Sequence, residues 1–280
     1  MDRTPILENY NASGQFLIFI GLMLISVAVG VMLSALVVVA MMGGDSIGTN
    51  VLSDLDDSTV LAALKVSQFF ASLAVFILPV IIFTLLTSKD GLVSLSLNKS
   101  IDVRSGIFVF LVVIAVLPFV NFTQEINKMM ILPEWLNGME AWMKAQEKST
   151  EIIVRAFLNS TSVFALLGNI LVMAIIPAIG EELCFRGVMQ KLFGKMFNNP
   201  HVAIWVTAAI FSAIHMQFYG FIPRMLLGAM LGYLYHWSGS LWLAILAHLI
   251  NNGFAVVLSY LIGTGNISPE VENIGSSDGT

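Results

Sequence analysis

The sequence predicts an all-α fold: a polytopic membrane helix bundle of about seven spanning helices, with one amphipathic helix lying at the interface. Three observations predict it. Of 280 residues, 57% are hydrophobic and only 11% charged, whereas soluble domains carry about 25% charged residues. The mean hydropathy is +0.87. The apolar residues are gathered into runs that reach the ~20 residues a helix needs to cross a bilayer.

Charge and cysteine content narrow the function classes. The net charge is −5, and no basic run offers a face for phosphates, which argues against nucleic acid as a partner. The single cysteine, Cys184, cannot form an internal disulfide and says nothing about redox compartment. The first apolar run has no cationic segment before it and is too long for a signal core, so it reads as a retained span. No soluble second domain is evident.

Taken in order, residues 1–14 are a polar tail and 15–42 the first span. An acidic loop over 43–58 (Asp45, Asp54, Asp56, Asp57) leads to a second span at 59–87. Lys89, Lys99 and Arg104 occupy the loop before a third span at 105–122. Between 125 and 160, Leu132, Leu136, Met139 and Met143 recur at helical spacing, beside Trp135 and Trp142 and with charged residues between them. That pattern suits a helix lying at headgroup depth; a cap packed on the bundle fits it equally. Four further spans follow, at 162–195, 201–217, 221–237 and 241–262, and a Gly/Ser-rich acidic tail closes the chain. The chain thereby divides into 1–160 (N-terminal spans and interfacial helix), 161–263 (a helical core carrying the polar motifs) and 264–280 (a tail expected to be disordered). Basic residues in loops 2–3 and 4–5 (Lys191, Lys195), against none in loop 1–2, put the N-terminus on the cytoplasmic side of a cell membrane. Arg224, in the short fifth loop, weakly opposes this.

The chemistry lies in the last block. Glu181, Glu182 and Arg186 sit inside an apolar run, where each charge costs ~2.5–3.5 kcal/mol on insertion scales. Glu182 and Arg186 are four apart, share a helix face and can pair. Glu181 points ~100° away and is left free to act as a base. A salt-bridged kink after Pro177 is the purely structural alternative. His215 and His248 also fall within apolar runs; Phe211 precedes His215 by four residues, and Asn252 follows His248 by four. Counting 17 residues either way from Asn198 puts Glu181 and His215 at one height of a helical hairpin, ~25 Å from its turn. His201 and His236 sit next to turns and read as interfacial.

These motifs, Glu181-Glu182-xxx-Arg186, Phe211-xxx-His215 and His248-xxx-Asn252, resemble the CPBP family (CAAX protease and bacteriocin-processing, or Abi) of intramembrane proteases. The resemblance runs from about residue 163 to 255, and residues 1–160 contribute only spans. It implies peptide-bond hydrolysis within the membrane. Glu181 and His215 would activate a water, His248 and Asn252 would hold the oxyanion, and Glu182, Arg186 and Phe211 would support them. It implies no cofactor; were zinc bound, Glu181, His215 and His248 would be the ligands, with water in the fourth position. Partners implied are membrane lipid and a peptide or membrane-protein substrate, prenylated in the best-known members. Two other readings remain: a non-catalytic immunity or peptide-binding protein, and a transporter using the buried Glu and His groups as a proton relay. No inverted repeat favours the transporter.

Overall fold

Polar residues set where the helices begin. In the computed structural model, which describes residues 5–44 and 54–275, α1 (Ala12–Met42) opens on Asn11, whose side chain accepts the Gly14 amide at 2.8 Å. Asp57 caps α2 (Ser58–Thr87) through the Thr59 amide at 2.6 Å, and Asp102 caps α3 (Val103–Lys128) through that of Ser105 at 3.1 Å. Such caps satisfy amides that have no partner within the helix. Bonding to Thr59 and to Ser105 holds both carboxyls below their ordinary value. The amphipathic helix is α4 (Asn137–Leu158), which buries only Phe157 and carries the pairs Glu140–Lys144 and Glu151–Arg155. Then come α5 (Val163–Phe197), α6 (Pro200–Ala213), α7 (Phe221–Ser238) and α8 (Leu241–Gly263). No strand occurs among the described residues.

Among the described residues five helices, α1, α2, α3, α5 and α8, are long and apolar enough to cross a membrane. The all-helical polytopic bundle expected from composition is therefore found, but two of the seven expected spans take another form. Helix α6 has 14 residues, ~21 Å at 1.5 Å per residue, against a hydrocarbon core of ~30 Å. It stops at Ala213, and the chain turns through Met216, at φ 54°, into a 3-10 turn over Phe218–Gly220. Helix α7 has 18 residues but interrupts its apolar run with Arg224 and His236. The early end of α6 leaves His215 in the turn, beyond the helix.

Helices α2 and α5 widen into π-helical segments at Leu73–Ile77, Ile170–Ile175 and Leu183–Met189. The first two lie just before Pro79 and Pro177. A proline has no N–H for the carbonyl four residues back and its ring crowds that carbonyl; one wider turn relieves both. The third has no proline and carries Arg186 itself.

The core gathers around the second half of α5, where Phe185, Val188, Met189, Leu192 and Phe193 pack against Phe19, Phe83, Leu95 and Leu241. Helices α1 and α3 leave Leu24, Ile25, Met32, Ile107 and Phe108 exposed, as helices at a lipid boundary do. Close approach of α7 to α6 depends on Gly228 and Gly232. A Cβ at Gly232 would lie 2.9 Å from Ile204 Cγ2, and one at Gly228 would lie 3.3 Å from the Ala208 backbone. Small residues four apart let helix backbones approach in this way.

Basic groups collect at one end of the bundle. Lys191 donates to Ser94 O at 2.6 Å and to Ser96 Oγ at 3.2 Å, and Ser240 and Trp242 at the start of α8 bond to the carbonyls of Lys99 and Leu97. Helix α4 lies toward the other end: the Tyr219 hydroxyl donates to Glu140 at 3.1 Å, and the Tyr219 amide to Glu147 at 3.4 Å. Most of the acidic loop falls on residues 45–53, outside the described residues. The expected tail begins after α8; its described part forms a 3-10 turn at Pro269–Asn273, and Asn121 donates to Ile274 O at 2.8 Å. Residues 276–280 lie outside the described residues.

Candidate functional site

Glu182 and Arg186 pair as their four-residue spacing predicts, with Arg186 Nη1 2.5 Å from Glu182 Oε1 and both side chains fully buried. Arg186 Nη2 donates to Gly228 O at 2.7 Å, a carbonyl within reach because Gly228 lets α7 come close. Phe211 ties the cluster together. The guanidinium carbon of Arg186 lies 4.8 Å from its ring centroid, and the rings of His215 and His248 lie 5.1 and 5.9 Å away. A guanidinium over an aromatic face gains from the ring quadrupole, most where water is absent.

Both histidines have one nitrogen committed. His215 Nδ1 is 2.7 Å from Phe211 O. A carbonyl can only accept, so Nδ1 carries the hydrogen, and Nε2 of the neutral ring holds a lone pair. His248 Nδ1 is 2.8 Å from Glu182 Oε1, and its Nε2 is 3.9 Å from Glu181 Oε2. The Glu181 side chain makes no hydrogen bond among the described residues, so of the two adjacent glutamates it is the one with an uncommitted carboxylate. Asn252 Nδ2 donates to Met173 O at 3.3 Å, which leaves one of its amide hydrogens over.

Glu181, His215, His248 and Asn252 all line one cavity of about 290 Å³ between α3, α5, α7 and α8. Cys184 does not; it is wholly buried against Met23. His201 stands apart, bonded to Tyr233. Among the described residues no three His, Cys, Asp or Glu side chains are grouped so as to hold a metal ion.

Three residues here were missed by the sequence reading. Arg224 and Asn251 line the cavity. Asn127, at 1% exposure, donates to Phe218 O at 2.9 Å and accepts the Ile222 amide at 2.7 Å. It thereby fixes the turn that carries His215. Pro223 beside Arg224 was the available signal: proline favours the first turn of a helix, which moves Arg224 from a loop into α7.

The cluster falls in the part of the chain that is similar to known proteins. Residues 162–254 match the family model described as Type II CAAX prenyl endopeptidase Rce1-like. This segment is similar to the CPBP family. It holds every motif residue from Glu181 to Asn252 and also Arg224. An uncharacterized protein of Bacillus subtilis (strain 168), YpbD, is 30% identical over 86 residues, 29% of this chain and 41% of its own length. The chain thus spans less than half of that relative. No solved structure matches the chain significantly. The CPBP segment does not build the cavity alone, since Val120 and Gln124 of α3 contribute to its wall.

Proposed function

We propose that the protein is an intramembrane endopeptidase that hydrolyses a peptide bond of a membrane-associated protein or peptide. The observation that carries this reading is the meeting of Glu181, His215, His248 and Asn252 in one cavity, within the segment that matches a CAAX endopeptidase family. Glu181 takes a proton from a water as that water attacks the scissile carbonyl carbon. His215 Nε2, whose lone pair follows from the Nδ1 bond to Phe211, orients the same water. The C–N bond then breaks, and the proton held by Glu181 passes to the leaving amine, so one water is consumed per bond cut.

The carbonyl oxygen gains negative charge during attack and needs donors already in place. Asn252 has its spare amide hydrogen. His248, oriented by Glu182 through Nδ1, is the second group facing that oxygen. Glu182 and Arg186 are positioning residues that hold His248 and the π-helical turn.

The test is cleavage of a membrane-peptide library by the purified protein, compared with its Glu181→Ala variant. Removal of a general base is expected to slow turnover by ~10²–10⁴-fold. Undiminished turnover in Glu181→Ala would sink the reading.

A further inference from the structure

A second charged group faces the same cavity and has no part in the hydrolytic steps. Arg224 sits in the first turn of α7 and lines the same cavity as Glu181 of α5. Its guanidinium bonds only to neutral acceptors: Nη2 to Gln217 Oε1, and Nη1 to Gly220 O at 3.4 Å. Glu147 and Glu181 act on it electrostatically, yet no carboxylate among the described residues comes within ion-pair distance. A guanidinium has five N–H donors, so two bonds leave three unspent. In an apolar bundle such an unpaired cation is costly, which calls for an anion from outside the chain.

The backbone is shaped around this group. A Cβ at Gly220 would stand 3.2 Å from both Nη1 and Nη2 of Arg224, so the glycine leaves the room in which the guanidinium lies. The positive end of the α7 dipole points the same way. Its amides cannot hold an anion themselves: that of Phe221 is bonded to Phe218 O, that of Ile222 to Asn127 Oδ1, and Pro223 has none. Recognition therefore falls to the guanidinium, whose planar fork matches a carboxylate with two parallel bonds.

We propose that Arg224 is a specificity residue that binds a carboxylate of the peptide substrate, on the leaving-group side of the bond presented to Glu181. This rests on the peptidase reading above. The carboxylate is either the chain terminus or an Asp or Glu side chain close to the cut, and a cavity of about 290 Å³ holds only a few residues between the two points.

The experiment measures peptide binding to the Glu181→Gln protein in phosphatidylcholine nanodiscs, so that turnover does not intervene. The probes are acetyl-Val-Ile-Ala-Leu as the free acid, the same peptide as its amide, and acetyl-Val-Ile-Ala-Asp-amide. One carboxylate form is expected to bind at least about tenfold more tightly than the plain amide. A preference for the acid assigns the terminus; a preference for the aspartyl amide assigns the side chain. Adding Arg224→Gln is expected to abolish the preference, adding Arg224→Lys to retain part of it, and adding Gly220→Ala to weaken it with the charge intact. Thermal unfolding of each variant separates lost binding from lost fold. Equal binding of acid and amides, no saturable binding of any probe, or an equal loss for all three on Arg224→Gln overturns the proposal. So does an Arg224 effect that appears only when phosphatidylglycerol is added, since that would assign the cation to a lipid headgroup. Should the intact protein cleave nothing while the carboxylate preference persists, the peptidase reading fails and the binding site stands.

Discussion

His248 Nδ1 lies 2.8 Å from Glu182 Oε1, the same oxygen that Arg186 Nη1 reaches at 2.5 Å. One carboxylate oxygen thus holds a buried cation and orients a ring that borders the cavity. Adjacent glutamates consequently differ in what their loss does. Removing one partner of a buried ion pair leaves the other charge uncompensated, at about 3–5 kcal/mol. Glu182→Ala is expected to lower the unfolding temperature strongly and to remove activity with it. Glu181→Gln is expected to unfold close to the parent while failing in turnover. Thermal unfolding in detergent, run beside a cleavage assay, separates the two; equal destabilisation by both would contradict the division of roles.

Gly232 offers a test of packing that touches no charged group. A Cβ there would lie 2.8 Å from Gln190 Oε1 and 2.9 Å from Ile204 Cγ2, and Gln190 Nε2 already donates to Gly232 O at 3.1 Å. Gly232→Ala is expected to push α7 off α6, at about 1–3 kcal/mol for overpacking. Gly21→Ala on α1, where a Cβ meets nothing within 4 Å, is the matched control and should not destabilise.

The parts of the site legible in the sequence were those governed by one helix or one turn. The i, i+4 rule paired Glu182 with Arg186 and left Glu181 out, and the count from Asn198 put Glu181 and His215 at one height; both line the cavity. What depends on how helices rotate against each other was not legible. His248 was read with Asn252 because they share a face of α8, yet its close partner is Glu182 of α5. Asn127 fell beyond the third span as read, in the amphipathic 125–160 segment, and its two bonds to the turn before α7 come from tertiary approach alone. Span count went the same way: residues 201–217 are largely apolar, but the helix ends at Ala213 and Met216 takes a positive φ.

Asn127 is expected to act through His215 without touching substrate. Its amide spans Phe218 O and the Ile222 amide, and losing it leaves buried polar groups unpaired at about 1–3 kcal/mol. Asn127→Ala should lower kcat more than it raises KM, because the turn that places His215 loosens while the cavity wall stays. Asn127→Asp, which keeps the acceptor for the Ile222 amide, should recover part of the loss. A change confined to stability, with kcat intact, would assign Asn127 a structural role only.

The contact between α4 and the turn before α7 should depend on pH with a definite sign. A hydrogen bond to Lys144, with a further one from Tyr219, holds the Glu140 carboxyl below its ordinary value of 4.5. Since the folded value is the depressed one, the contribution is complete above the unfolded value and fades as pH falls through the folded one. The near-ultraviolet absorbance of the Tyr219 ring, whose hydroxyl donates to Glu140 at 3.1 Å, is expected to hold constant at neutral and mildly acidic pH and to change only at strongly acidic pH. In Glu140→Gln that acid step should vanish; its persistence would place the titrating group elsewhere.

Orientation can be read directly because the one native thiol is silent. We propose that the end carrying Lys89, Lys99, Lys191 and Lys195 faces the cytoplasm, following the preference of short cytoplasmic loops for Lys and Arg. Lys191 is bonded to the loop holding Ser94 and Ser96, so two of the basic segments share one end. The Glu140–Tyr219 contact lies at the other. Cys184 is fully buried, so in intact cells a membrane-impermeant maleimide reports only cysteines introduced by substitution. Lys144→Cys is expected to label from outside, and Lys89→Cys only after the membrane is opened. The reverse pattern would invert the topology.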